Sequence, residues 1–138
     1  MFIGPVMIDS CAFIGLLRSG LDPAQVLLTH FEATDLHTCG MIRVEVLRGV
    51  RIDKVAKRLG EFMDVMCNVP ADNRLWNEAA AIGRELGALG VTMHGPDLII
   101  SACAMHAGAT VVTHDADFTR VPGLRVISPP WAGPSPLK

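Results

Sequence analysis

Tyrosine is absent from this 138-residue chain, and all aromatic residues together make up 5%. A platform of rings on which unpaired bases would stack is therefore not indicated. Positive charge is also scarce: 12 Lys and Arg stand against 14 Asp and Glu, for a formal net charge of −2. No global basic field points to nucleic acid, which leaves only a local patch. Arg43, Arg48 and Arg51 fall on one predicted helix and its end, and their default reading is a solvated face. Cysteine is sparse and scattered. Cys11, Cys39, Cys67 and Cys103 make no C-x-x-C pair, so neither a zinc site nor a disulfide framework is predicted. They read as four small buried hydrophobes in reducing surroundings.

Long hydrophobic runs are missing as well. A membrane span needs roughly 20 apolar residues. The longest run, Leu98 to Val112, contains His106 and a Gly108-Ala109 break. It reads as a buried helix leading into a buried strand, with no membrane. The N-terminus has no charged region before an apolar run and no small-residue cleavage site, so the cytoplasm is the expected compartment. Repeats and low-complexity segments are absent.

What is present is enough for one core. Half the residues are hydrophobic, and a chain of this length forms one domain by the usual size rule. Val6 to Ile8 is a strand of the buried kind, and Asp9-Ser10 starts a helix that stops near Gly20. Asp22-Pro23 opens a second helix, with Pro at its first position, that runs to about Ala33. A short strand follows at Asp35 to Thr38, then a helix from Gly40 and another capped by Asp53. Cys67 to Pro70 reads as a strand, and Asp72 caps a long helix to about Leu89. Gly95-Pro96 begins a helix that ends at Gly108. Ala109 to Thr113 is a β-branched strand, Asp115 to Phe118 a turn or short helix, and Leu124 to Ile127 a last strand. Strands alternating with helices predict an α/β fold, with a central, mostly parallel sheet flanked by helices on both faces. The domain spans 1–128, and 129–138 is a Pro-rich tail with no obvious core contact.

Four acidic motifs then stand out. They are Val6-Met7-Ile8-Asp9-Ser10, Arg43-Val44-Glu45-Val46-Leu47, Gly95-Pro96-Asp97-Leu98-Ile99-Ile100, and Val111-Val112-Thr113-His114-Asp115-Ala116-Asp117-Phe118. Each sets a carboxylate against an apolar run, and carboxylates are rarely buried unless paired or bound to a metal. Bland roles exist for each: an N-cap for Asp9, an ion pair with Arg48 for Glu45, a favourable dipole position for Asp97, a polar turn for Asp115 and Asp117. Asp9 and Asp115, however, both follow closely on apolar strands. In parallel α/β sheets the ligand crevice lies outside the carboxyl ends of the strands. Four acids gathered there form a site for a hard divalent cation. Ser10 and Thr113 are candidate supports.

The order Asp9, Glu45, Asp97, then Thr113-x-Asp115-x-Asp117-Phe118 resembles the PIN-domain ribonucleases, and among them the VapC-type toxins of toxin–antitoxin pairs. Glu45-Val46-Leu47-Arg48-Gly49 is similar to that family's glutamate-bearing helix. The resemblance covers Val6 to about Ile127. It implies a PIN-like fold and a Mg²⁺-dependent endoribonuclease, with Mn²⁺ as a substitute. It implies Asp9, Asp97 and Asp115 as metal ligands, with Glu45 and Asp117 completing the catalytic acids. It also implies an RNA substrate, a cognate antitoxin and a homodimer. Which residues would hold RNA is not implied. Cys11 departs from the Ser or Asn usual two residues after the first acid, and a thiol is the weaker hydrogen-bond partner. The alternative is a non-catalytic PIN-like module that binds RNA or protein. Loss of acids would mark it, and none is missing.

Overall fold

The computed structural model describes residues 1–132. Its strands are short. They are β1 (Val6–Ile8), β2 (Leu36–Cys39), β3 (Cys67–Val69), β4 (Thr110–Val112) and β5 (Val126–Ile127). They pair in the order β3-β2-β1-β4-β5, and every pairing is parallel. Val6, Met7 and Ile8 of the central strand are fully buried, as are Val111 and Val112 beside them. Burial on both faces explains the unbroken apolar runs in these strands.

Six helices cover the sheet. They are α1 (Ser10–Arg18), α2 (Pro23–His30), α3 (Gly40–Leu47), α4 (Asp53–Asp64), α5 (Asn73–Ala88) and α6 (Gly95–Ala107). Their starts follow local chemistry. Asp22 accepts from the Ala24 N–H at 3.2 Å with Pro23 next in line, and Asp72 accepts from the Leu75 N–H at 2.9 Å. Helix α4 is capped differently from expectation: Ile52 holds the cap position without a side-chain bond, and Asp53 lies inside the first turn. There its charge still favours the helix dipole. Gly83 lets α5 approach α6 closely, because a Cβ there would stand 3.0 Å from Leu98 Cδ1. No single helix among the described residues is long and apolar enough to cross a membrane.

Two expectations need correction. The second helix ends at His30 and not near Ala33, which belongs to a separate 3-10 turn, Ala33–Asp35. The segment after residue 128 is not free of core contact where it is described. Pro130–Ala132 forms a 3-10 turn, and the Trp131 ring packs edge-on against Phe31 at a centroid distance of 6.4 Å. An aromatic ring gains enough from such burial to hold a short proline-rich turn in place. The rest of the expected tail, 133–138, lies outside the described residues.

Gly108 joins α6 to β4 with φ 63°, the left-handed conformation that ends helices. A side chain there is strained by about 1–2 kcal/mol. Gly108→Ala should therefore lower unfolding stability by about that amount, read as a smaller midpoint in urea with unchanged slope. An unchanged midpoint would refute the strain.

Candidate metal centre at the carboxyl edge of the sheet

The chain winds from β1 outward through β2 to β3, then crosses back to β4 and β5 on the other side. The direction reverses between β1 and β4, which is where open α/β sheets hold ligands. Asp9 follows β1 directly, and its N–H still bonds the Val112 carbonyl at 3.0 Å. Thr113 continues β4 in the same way, with its N–H on the Ile127 carbonyl at 3.1 Å. The sheet ladder thus fixes the backbone of both residues.

Asp9 is 4% exposed, and donors surround its carboxylate. Oδ2 accepts from Thr113 Oγ1 at 2.8 Å and from the Cys11 thiol at 3.1 Å. Oδ1 accepts from the Ser10 N–H at 2.8 Å. The Ser10 hydroxyl stands 3.4 Å from the same oxygen and 3.1 Å from Glu45 Oε1, so its single proton links two acids. The start of α1 and the middle of α3 are tied together at this point. Glu45 therefore meets Ser10 rather than serving a surface pair with Arg48. Among the described residues the salt bridge formed by the arginines of this region is Arg43 to Asp64 at 2.8 Å. Arg43 is thereby withdrawn from the basic trio, while Arg48 and Arg51 remain exposed.

Cys11 occupies the position where a hydroxyl or amide was expected, yet the contact to Asp9 is made. Burial, then the nearby Asp9 charge, pushes the Cys11 thiol up to about 11. It stays protonated at neutral pH and serves as a donor. Its sulfur also lies 3.3 Å from Thr113 Oγ1. Spacing alone did not reveal this role, because a thiol two residues after an acid has no distinctive pattern.

Asp97 lies in the first turn of α6, half-buried. Its carboxyl is raised from 3.8 to about 6, first by burial, then by the charges of Asp9, Asp115 and Glu45, with His94 opposing. The four acids from four separate segments therefore share one electrostatic neighbourhood. Asp115 and Asp117 differ. Asp115 is half-buried; its N–H donates to Thr113 Oγ1 at 3.0 Å, and its Oδ1 accepts from the Asp117 N–H at 2.9 Å. Asp117 is exposed. The carboxylate that caps this turn is thus that of Asp115. The reason is the chain direction: the Asp115 side chain reaches forward over the first N–H groups of the 3-10 turn Ala116–Arg120.

Among the described residues, no three acidic, histidine or cysteine groups converge tightly enough to grip one ion. Mutual repulsion holds carboxylates apart. The donor set nevertheless fits a hard divalent cation. It is all oxygen, and burial together with the neighbouring negative charges raises the proton affinity of Asp97. An apolar cavity lies elsewhere. It measures 520 Å³ and is lined by Leu17, Leu21, Val50, Ile52 and Val55 with Arg58 at its rim. Its walls are mainly apolar, and none of Asp9, Glu45, Asp97 and Asp115 lines it.

The solved structures that resemble this one agree in fold. A DNA-bound VapBC from Salmonella typhimurium superposes with a TM-score of 0.75 at 17% identity, covering 91% of this chain and 98% of that one. FitAcB from Neisseria gonorrhoeae gives 0.73 at 18% identity, over 90% and 97%. VapBC-5 of Mycobacterium tuberculosis, a member of the VapBC family of toxin-antitoxin systems, gives 0.61 at 19% identity, over 91% and 99%. No curated protein matches the chain in sequence. The PIN domain family model matches residues 6–124. That match takes in β1 to β4 and all four acid-bearing segments, and the chain belongs to the PIN-domain family.

Proposed function

We propose that this protein is a VapC-type toxin, a Mg²⁺-dependent endoribonuclease that hydrolyses phosphodiester bonds in RNA. The observation that carries the reading is Asp97, whose carboxyl is raised first by burial and then by three other carboxylates brought from distant parts of the chain. A fold has little reason to gather like charges at the edge of its sheet except to meet a positive one. Asp9, Asp97 and Asp115 would hold the cation, with Glu45 beside them. When bound, a divalent ion supplies an acidified water and charge stabilisation at the phosphate. The chain's own part is to hold the ligands still. Thr113 and Cys11 fix one oxygen of Asp9, Ser10 couples its other oxygen to Glu45, and the turn at Asp115 is locked by two backbone donors. Arg48 and Arg51, exposed at the end of α3 and just beyond it, are available to the phosphate backbone.

The same reading includes a cognate antitoxin, a cytoplasmic location and a homodimer. The neighbours described as VapBC and as a toxin-antitoxin complex from Klebsiella pneumoniae support a protein partner. Leu21, Leu28 and Ile52 are large apolar residues that stand 50%, 46% and 65% exposed in the N-terminal half, a surface suited to a two-fold contact. Light scattering should give twice the monomer mass at micromolar concentration. A monomer mass throughout that range would remove the dimer from the proposal.

Cleavage of total RNA should be abolished by EDTA and restored by Mg²⁺ or Mn²⁺. Asp9→Asn and Asp97→Asn should each lower the rate at least a hundredfold in folded protein, because Asn keeps the shape but loses the charge that holds the cation. Asp115→Asn should cost more activity and metal affinity than Asp117→Asn. Wild-type rates in the Asp9 or Asp97 variant would sink the nuclease assignment. EDTA-insensitive RNA or protein binding without cleavage would favour a non-catalytic module instead.

Asp97 also predicts a pH dependence. Its carboxyl binds the proton more tightly folded, at about 6, than at its ordinary 3.8. Its contribution to stability is therefore full below about pH 4 and is lost as pH rises through 6. Metal-free protein should lose thermal midpoint across that window, and Asp97→Asn should lose less. At neutral pH, millimolar Mn²⁺ should raise the midpoint of the wild type but barely that of Asp97→Asn. Calorimetry that finds equal Mn²⁺ shifts in both would rule out Asp97 as a ligand.

A further inference from the structure

Two open cavities of 430 and 390 Å³ lie on the same edge of the sheet as the acids, and they share Met41, Trp76 and Ile99. Together they form one groove. It opens at the carboxyl ends of β2 and β3, where Cys39 and Val69 line it, whereas Asp9 and Thr113 follow β1 and β4. β3 lies two strands from β1, roughly 10 Å at the usual strand spacing. The helices that carry the acids also supply the walls. Val44 precedes Glu45 on α3, and Pro96 and Leu98 flank Asp97 on α6. Among the described residues, no charged side chain lines either cavity. Trp76, near the start of α5, is 47% exposed. Trp131 packs against His30 and Phe31, but the described residues give Trp76 no ring partner. Composition argues against a platform of several rings, yet one ring serves one base.

We propose that this groove is a subsite for an unpaired nucleobase of the RNA strand, with the base stacked on the Trp76 indole. This assignment rests on the reading of the acids as an RNA site, and it specifies RNA that is single-stranded at the cleaved bond. The two surfaces divide a nucleotide by its chemistry. The acids and their cation take the phosphate, and the neutral groove takes the uncharged base. Every base has a π-face, so the indole accepts any of them once it is free of a duplex. In a paired helix the neighbouring bases already cover both faces, and the indole has nothing to stack on. Asn68 is exposed on β3 and lines the groove. Its amide has both donors and an acceptor for the edge of the base, which lets it prefer one base over another. A second copy of the chain has no need to lie beside the acids, whereas a base tethered to the bound phosphate must.

Trp131→Phe leaves Trp76 as the one indole of the full-length protein. Its emission should be quenched saturably by a short single-stranded RNA, with Ca²⁺ in place of Mg²⁺, and far less by a duplex of the same length. In cleavage assays with Mg²⁺, Trp76→Ala should raise KM for that single strand about tenfold and leave kcat within about twofold of wild type. Trp76→Phe keeps a ring and should recover most of the loss. Asn68→Ala should narrow the differences in KM between homopolymers. Saturable quenching without cleavage under any metal would remove the nuclease and support the base subsite. Cleavage with no quenching, equal quenching by the duplex, or an unchanged KM in Trp76→Ala would overturn the subsite while the nuclease stands. A wild-type dimer that Trp76→Ala turns into a monomer would assign the groove to a second copy and overturn the subsite as well.

Discussion

A carboxylate enclosed at the end of a parallel sheet has to be saturated with donors, and the environment of Asp9 is built around that requirement. Thr113 reaches it from the adjacent strand, Cys11 and Ser10 from the helix that follows. Buried charge without such partners costs several kcal/mol. The Asp9–Thr113 bond spans 104 positions in sequence and joins the two strands between which the chain reverses direction. If that bond were lost, the registration of β1 with β4 would still hold the backbone, but the Oδ2 of Asp9 would keep only the Cys11 thiol as its donor.

The remaining acids are positioned through this first one. Ser10 stands between Asp9 and Glu45, so α3 is referred to the same carboxylate as α1. Thr113 donates to Asp9 and accepts from the Asp115 N–H, so the turn after β4 is referred to it too. Asp97 is reached by charge and not by a hydrogen bond to this network. Burial first, then the charges of Asp9, Asp115 and Glu45, raise its proton affinity, with His94 opposing.

Much of this was legible in the sequence because the informative features are local. Val6 to Ile8 followed by Asp9-Ser10 marks a buried strand and a helix start, and both lie where the pattern put them. Gly95-Pro96 and Gly108 bracket α6 for the same reason, since proline fixes φ at a helix start and glycine admits the left-handed turn that ends one. A mostly parallel sheet also followed from the alternation of short apolar runs with helices, and every strand pairing is parallel. What sequence left open depends on contacts between distant residues. The pairing of Ser10 with Glu45 overrides the nearby Arg48, and Trp131 docks on Phe31 although its segment is rich in proline. Neither outcome has a periodicity to reveal it. The strand order is likewise a matter of crossover handedness and packing, which composition does not encode.

The two environments of cysteine in this chain show how strongly position governs chemistry. Cys11 faces a carboxylate in a buried corner, and its thiol is pushed up to about 11. The Cys39 thiol, at the start of α3, is brought down to about 7, first by the Cys103 thiol and then, against burial, by the backbone of that helix start. Burial raises both, so the difference lies in the sign of the nearest electrostatic partners. Beside Asp9 a thiolate would add a like charge to a site already crowded with them, so the neutral thiol persists as a donor. Some way behind, the start of α3 supplies partial positive charge instead. Residues of one type, read from sequence as interchangeable small hydrophobes, are thereby separated into a fixed proton donor beside the acids and a polarised thiol behind them.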